Sequence, residues 1–159
     1  MIKLRIACIG KLKDKHWIAA ESEYLRHLRR FCDFDTVELK PEESAAEPSE
    51  GEIAAILAAE GERLKKAAAG FPVTVAMAVE GSELSSEQFS AMLKKEADVG
   101  RGVCFMIGGS WGIDEAIKKS CTYRVSMSRF TMPHRLARIV LLEQIFRAFK
   151  IMNGETYHK

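Results

Sequence analysis

The 159-residue chain is 47% hydrophobic and 29% charged, the balance of a single soluble folded domain and not of a disordered polymer. No apolar run approaches the ~20 residues that a membrane span needs, and the N-terminus opens into a strand pattern without the apolar segment of a secretory leader. The net charge of +2 hides an uneven distribution. Residues 1–30 carry eight Lys/Arg against three Asp/Glu, residues 118–159 carry nine against two, and the stretch between carries seven against seventeen. If the two ends meet in the fold they make a basic face able to attract an RNA backbone; ordinary solvated helix faces are the alternative.

Ile2 to Ile9 alternates and then turns apolar, as a strand entering a core does, and Gly10 stops it. Lys15 to Arg30 carries Trp17, Tyr24, Leu25 and Leu28 at helical spacing. Phe34 to Leu39 reads as a second strand, and the acidic, alanine-rich stretch Pro41 to Pro48 as a mobile loop. Ser49-Glu50-Gly51-Glu52 is a capping box opening a helix to about Ala69. The strand Val73 to Val79 follows, ended by Gly81, and then Ser85 or Ser86 caps a helix from Glu87 to Ala97. Val103 to Ile107 is a fully apolar fourth strand. A short helix through Ile117 leads to a fifth strand near Tyr123 to Met127, and a last helix from His134 to Met152 closes on Asn153-Gly154. Alternating strands and helices with continuous apolar strands predict an α/β fold with a mostly parallel sheet flanked by helices, as one domain over residues 1–159.

The cysteines, Cys8, Cys32, Cys104 and Cys121, form no C-x-x-C pair and read as buried free thiols of a reducing, cytoplasmic compartment. His16, His27, His134 and His158 show no metal-ligand spacing, so no metal is expected.

Ligands of open α/β sheets bind beyond the carboxyl ends of the strands, and three such ends carry unusual loops: Val79-Glu80-Gly81-Ser82, Gly108-Gly109-Ser110-Trp111-Gly112, and Ser126 to His134. The glycines allow close backbone approach. The run is neither G-x-G-x-x-G nor a phosphate loop with its lysine, which leaves a nucleoside-like ligand held by backbone groups, or a purely structural turn. The last helix sets Leu136, Ile139, Val140, Leu142, Ile145, Phe146 and Phe149 toward a core, with Arg135, Arg138, Glu143, Arg147 and Lys150 at other angles. An apolar arc that wide needs cover on more than one side, from a two-fold partner or from neighbouring loops. The ending Tyr157-His158-Lys159 is either a frayed tail or one that binds RNA by stacking and phosphate contact.

At these loops and this tail the chain resembles the ribosomal RNA large subunit methyltransferase H family of knotted SPOUT-class methyltransferases. The matching pieces are Ile9-Gly10-Lys11-Leu12-Lys13, Phe105 to Gly112, Phe130-Thr131-Met132-Pro133-His134, the run Arg138 to Ile151 and Tyr157-His158-Lys159, in order over the whole chain. The resemblance implies methyl transfer from S-adenosyl-L-methionine to N3 of a pseudouridine in the helix 69 loop of 23S rRNA, a homodimer, and a C-terminal trefoil knot forming the cofactor pocket. By position it implies cofactor contacts at Met77, Gly108, Met127, Ser128, Arg129, Phe130, Thr131 and Met132. The chain departs from the family at Ala78, where an acidic residue is usual, and at Met77, where leucine is usual; an apolar wall survives the second exchange. Such a reaction needs in-line positioning and a proton acceptor: Arg138, Tyr157 and His158, and after them His134, are the candidates for holding the nucleotide, and His158 for taking the proton, against the plainer alternatives that His134 only begins a helix and Arg138 only binds phosphate. The competing expectations are a non-catalytic RNA-binding or ribosome-associated module and a nucleotide-binding metabolic enzyme.

Overall fold

Val103–Ile107 is apolar and buried at every position, so that strand must be covered on both faces and bordered on both edges. The computed structural model describes residues 1–157 and places it at the centre of a five-stranded sheet. The strands are Ile2–Ile9 (β1), Cys32–Leu39 (β2), Val73–Glu83 (β3), Val103–Ile107 (β4) and Tyr123–Ser126 (β5). Their order is β2-β1-β4-β3-β5, and every pairing is parallel. The fold class is the one expected.

Side chains alternate between two cores, as strand geometry requires. Leu4, Ile6, Val75, Phe105 and Ile107 face one core, where they meet Lys15–Leu28 (α1), Ser86–Asp98 (α3) and His134–Met152 (α5). Ala7, Ile9, Ala76, Cys104 and Met106 face the other, under Glu50–Ala67 (α2) and Glu115–Ser120 (α4). All four cysteines are free thiols, and Cys8, Cys32 and Cys104 are buried. No described helix is long and apolar enough to cross a membrane.

The two basic ends do meet. The His27 and Phe146 rings lie 5.3 Å apart, and Phe31 stacks on Phe149 at 5.3 Å. Part of that charge is spent internally, with Arg30 paired to Glu155 at 2.5 Å and Arg135 to Asp14 at 3.6 Å.

Several boundaries differ from expectation for local reasons. α1 stops at Leu28, whose carbonyl accepts from Phe31 N–H at 2.9 Å to close a turn. β2 begins at Cys32, which pairs with Ile2. Gly81 does not end β3. The strand pairs with β5 through Met77, swings out over residues 78–81, and pairs again at Ser82 and Glu83. A Cβ on Gly81 would lie 2.8 Å from the backbone of Arg124 and Val125, so glycine there permits the return. The stretch from Pro41 is held at its start, because Arg63 Nη1 donates to the Lys40 carbonyl at 3.0 Å and its Nη2 pairs with Glu42 at 2.5 Å.

The buried face of α5 also needs correction. It comprises Ala137, Arg138, Leu141, Leu142, Ile145, Phe146, Ala148 and Phe149, while Leu136 is exposed. α1 and α3 both pack on this helix within one chain, so intrachain neighbours cover much of the wide arc.

Candidate functional site

Three adjacent strand ends, those of β4, β3 and β5, release the three loops singled out in the sequence, and all three loops line one cleft of about 610 Å³. That size lies within the range of small-molecule and cofactor sites, ~300–1,000 Å³. One wall is the swung-out part of β3, from Met77 to Glu80. The second is the glycine loop, Gly108 to Ile113. The third runs from Met127 through Phe130, Thr131, Met132 and Pro133 to His134 and Ala137 on α5.

Each wall has a local cause. In the glycine loop, Gly112 at φ +86° turns the chain back, and its N–H donates to the Gly109 carbonyl at 3.1 Å. A Cβ on Gly108 would come within 2.3 Å of the Gly112 oxygen. The close approach that these glycines permit is therefore first of all the loop's approach to itself. Gly109 faces the carboxylate of buried Glu60, 3.1 Å from where a Cβ would stand. In the third wall Ser126 Oγ donates to the Ser128 carbonyl at 3.0 Å, and Ser128 Oγ accepts the Phe130 N–H at 2.9 Å. This local turn sends Phe130 into solvent, 83% exposed.

The lining is mainly apolar, from Met77, Val79, Ile107, Trp111, Ile113, Met127, Phe130 and Met132. Its charged side chains among the described residues are Glu80 and Lys118, which form an ion pair. His134 adds a titratable ring, packed so closely that a Cβ on Gly10 would sit 3.2 Å from its Nε2. Burial, with the charges of Arg135 and Arg138 adding to it, holds the imidazole below its ordinary pKa. It is neutral at physiological pH.

The expected cofactor residues Met77, Gly108, Met127, Ser128, Phe130, Thr131 and Met132 all lie on the cleft. Arg129 does not: its side chain is 92% exposed and lies 3.3 Å from Glu83. Of the expected catalytic residues among the described residues, only His134 is on the cleft. Arg138 is buried, donating to Glu21 at 2.9 and 3.0 Å and to Glu38 at 2.8 Å, so it offers no guanidinium to a phosphate in this arrangement. Tyr157 packs edge-on against Phe146 at 5.1 Å, under the Arg147 guanidinium at 4.7 Å, with its hydroxyl 3.3 Å from Glu143. His158 lies outside the described residues. Lys118 went unnoticed in the sequence because a lysine on a short helix carries no signal until packing sets it against Glu80.

The chain is similar to known proteins at two levels. A family model described as "Predicted SPOUT methyltransferase" matches residues 2–158. Proteins named ribosomal RNA large subunit methyltransferase H from Streptococcus equi subsp. zooepidemicus and Limosilactobacillus reuteri are each 40% identical over 159 residues, covering 99% of this chain and 100% of their own. The fold is shared with a probable methyltransferase from Bordetella pertussis (TM-score 0.59, 13% identity, 92% of this chain and 96% of that one). A probable methylase family protein from Haemophilus influenzae matches similarly (TM-score 0.58, 12% identity, 100% and 72%). The chain therefore belongs to the SPOUT methyltransferases, within the ribosomal RNA large subunit methyltransferase H family.

Proposed function

We propose that the cleft binds S-adenosyl-L-methionine and that the protein methylates 23S rRNA at N3 of a pseudouridine in the helix 69 loop. The observation that carries this reading is the convergence of three loops on one cleft with seven of the eight expected cofactor positions in its walls. The residues fit such a ligand. Met77, Ile107, Met127 and Met132 supply apolar surface for an adenosyl group, and the absence of a phosphate-loop signature argues against a nucleotide triphosphate. When bound, the cofactor supplies an electrophilic methyl group on a sulfonium.

The chain's own residues then have two tasks. Lys11, Lys13 and Lys15 are exposed on the segment that follows Gly10, where a Cβ would meet the His134 ring, and Arg129 is exposed beside the third wall. These cations border the cleft where an RNA backbone would pass. The acceptor nitrogen also carries a proton, and the neutral His134 imidazole in the cleft is placed to accept it. Arg138 has a positioning role: it ties the start of α5 to Glu38, which also accepts the Leu12 N–H at 2.8 Å.

A homodimer belongs to the same reading. Tyr157 packs at Phe146, which stands ~18 Å along α5 from His134 at the usual helical rise. A tail that serves a cleft so distant in its own chain is best explained by two-fold pairing, for which exposed Phe130 and Leu136 leave apolar surface beside the site. The trefoil-knotted threading and cytoplasmic location are carried as parts of this proposal, since an rRNA substrate is met there. Titration calorimetry with S-adenosylmethionine, followed by transfer of its labelled methyl group to 23S rRNA and mass mapping of the helix 69 loop, tests it. Cofactor binding and one added methyl on the loop are expected. RNA binding without cofactor binding would establish a non-catalytic module instead.

A further inference from the structure

The charged side chains of the mainly apolar cleft, among the described residues, stand at one edge. There Lys118, on α4, and Glu80, in the part of β3 that swings away from β5, face each other across the mouth and pair. The two come from different elements and are 38 positions apart. The Lys118 side chain is only 14% exposed, and Glu115 holds it from the same helix at 3.0 Å, so its ammonium is fixed in place. The Glu80 side chain is 60% exposed. A pair with one partner this open to solvent adds little to folding. Its position, as the charged element of a mainly apolar binding cleft, calls for another account.

We propose that Lys118 and Glu80 form the subsite for the α-amino-acid end of the cofactor, Lys118 receiving its carboxylate and Glu80 its ammonium. This rests on the cofactor reading above and adds to it the residues that recognise the ligand's charged end. A zwitterion presents one group of each sign a few bonds apart, which matches an adjacent cation and anion. Binding then exchanges one internal ion pair for two intermolecular ones, without leaving either side chain unpaired. The same pair opposes a polyphosphate, because Glu80 repels the chain of negative charge that Lys118 attracts. Both groups are held in their charged forms, Glu80 below its ordinary pKa chiefly by the Lys118 hydrogen bond. Lys118 is raised by Glu80 and Glu115 against the opposing effect of burial.

The test compares two nucleosides that differ in that end alone. S-adenosylhomocysteine carries the amino acid, and 5′-methylthioadenosine lacks it. Titration of the full-length protein, read by calorimetry or by the fluorescence of Trp111 in the cleft wall, should give at least roughly ten-fold tighter binding of the first, the scale of one charge-assisted contact. Lys118→Met and Glu80→Gln should each weaken S-adenosylhomocysteine and leave methylthioadenosine unchanged, which also shows that the variants are folded. Equal binding of the two nucleosides by the parent protein, or an undiminished preference in both variants, overturns the subsite and leaves the cofactor site standing. Binding of neither nucleoside by the parent overturns the cofactor reading and the subsite with it.

Discussion

Arg138 grips Glu21 through two parallel hydrogen bonds, from Nε at 2.9 Å and Nη2 at 3.0 Å, and joins α5 to α1 across 117 positions of sequence. Its third bond, to Glu38, adds the end of β2. The arginine is 4% exposed and the Glu21 side chain 13%, whereas Glu38 is a third exposed, so removal of the arginine leaves the Glu21 carboxylate without its cation in a largely dry place. Arg138→Ala should cost about 3 kcal/mol in urea unfolding, the low end of the loss when one partner of a buried pair is deleted, because water reaches Glu38. Arg138→Lys should recover part of it without the two-pronged contact. An alanine variant as stable as the parent, but unable to bind RNA, would return Arg138 to the nucleotide-binding role expected from sequence.

Gly108 tolerates no side chain. A Cβ would overlap the Gly112 carbonyl at 2.3 Å, and backbone cannot rotate aside as a side chain could. Gly108→Ala should open the glycine loop and weaken S-adenosylmethionine by at least roughly ten-fold, about 1.4 kcal/mol, because the second wall of the cleft is displaced. Titration calorimetry reads this directly, and unchanged affinity would show that the loop does not form the wall assigned to it.

His134 makes stability depend on pH in a defined direction. Its folded pKa lies below the ordinary 6.5, with burial the largest cause. As pH falls through 6.5 the unfolded chain takes up a proton that the folded protein refuses, so stability present above that value is lost below it. Comparing unfolding midpoints at pH 7.5 and 5 for the parent and His134→Gln should show a smaller acid loss in the variant. Methyl transfer by the parent should fall over the same acid range. Identical acid losses in the two proteins would place the ring in solvent.

Glu60 runs the other way. One oxygen accepts the Glu42 N–H at 3.0 Å, and the other is buried with no partner among the described residues. Burial is the main cause of a raised pKa, so the carboxylate is charged against its environment and stability declines as pH rises from 4.5 through the raised value. Glu60→Gln keeps an acceptor for Glu42 and removes the charge. The variant should equal or exceed the parent in thermal midpoint at pH 8, with a flatter dependence between pH 5 and 8. A lower midpoint at pH 8 would mean that the carboxylate has an attractive partner.

The sheet and the cleft were legible because their signals are local. Val103 to Ile107 is apolar without a break and ends at a glycine, and α5 begins and ends at His134 and Met152 as its pattern indicates. The loops could be tied to one site because parallel strands deliver their carboxyl ends to one edge of the sheet. What stayed hidden depends on distant pairing. Nothing in the neighbourhood of Arg138 announces Glu21 and Glu38, and spacing alone put it outside the buried face of its helix. Gly81 read as a stop because a strand that leaves its partner and returns cannot be distinguished locally from one that ends. Lys118 and Glu80 carried no signal for the same reason, since only the packing of α4 against the swung-out part of β3 brings them together.

The protein's own methionines report on the cofactor site. Met77, Met127 and Met132 stand in the three-walled cleft, whereas Met92 and Met152 lie away from it on the α3 and α5 side of the sheet. With methyl-13C methionine incorporated and each signal assigned by substitution, S-adenosylmethionine should shift the resonances of Met77, Met127 and Met132 and leave Met92 and Met152 in place. Saturable shifts confined to Met92 or Met152, with the three cleft signals unmoved, would contradict the account at its centre.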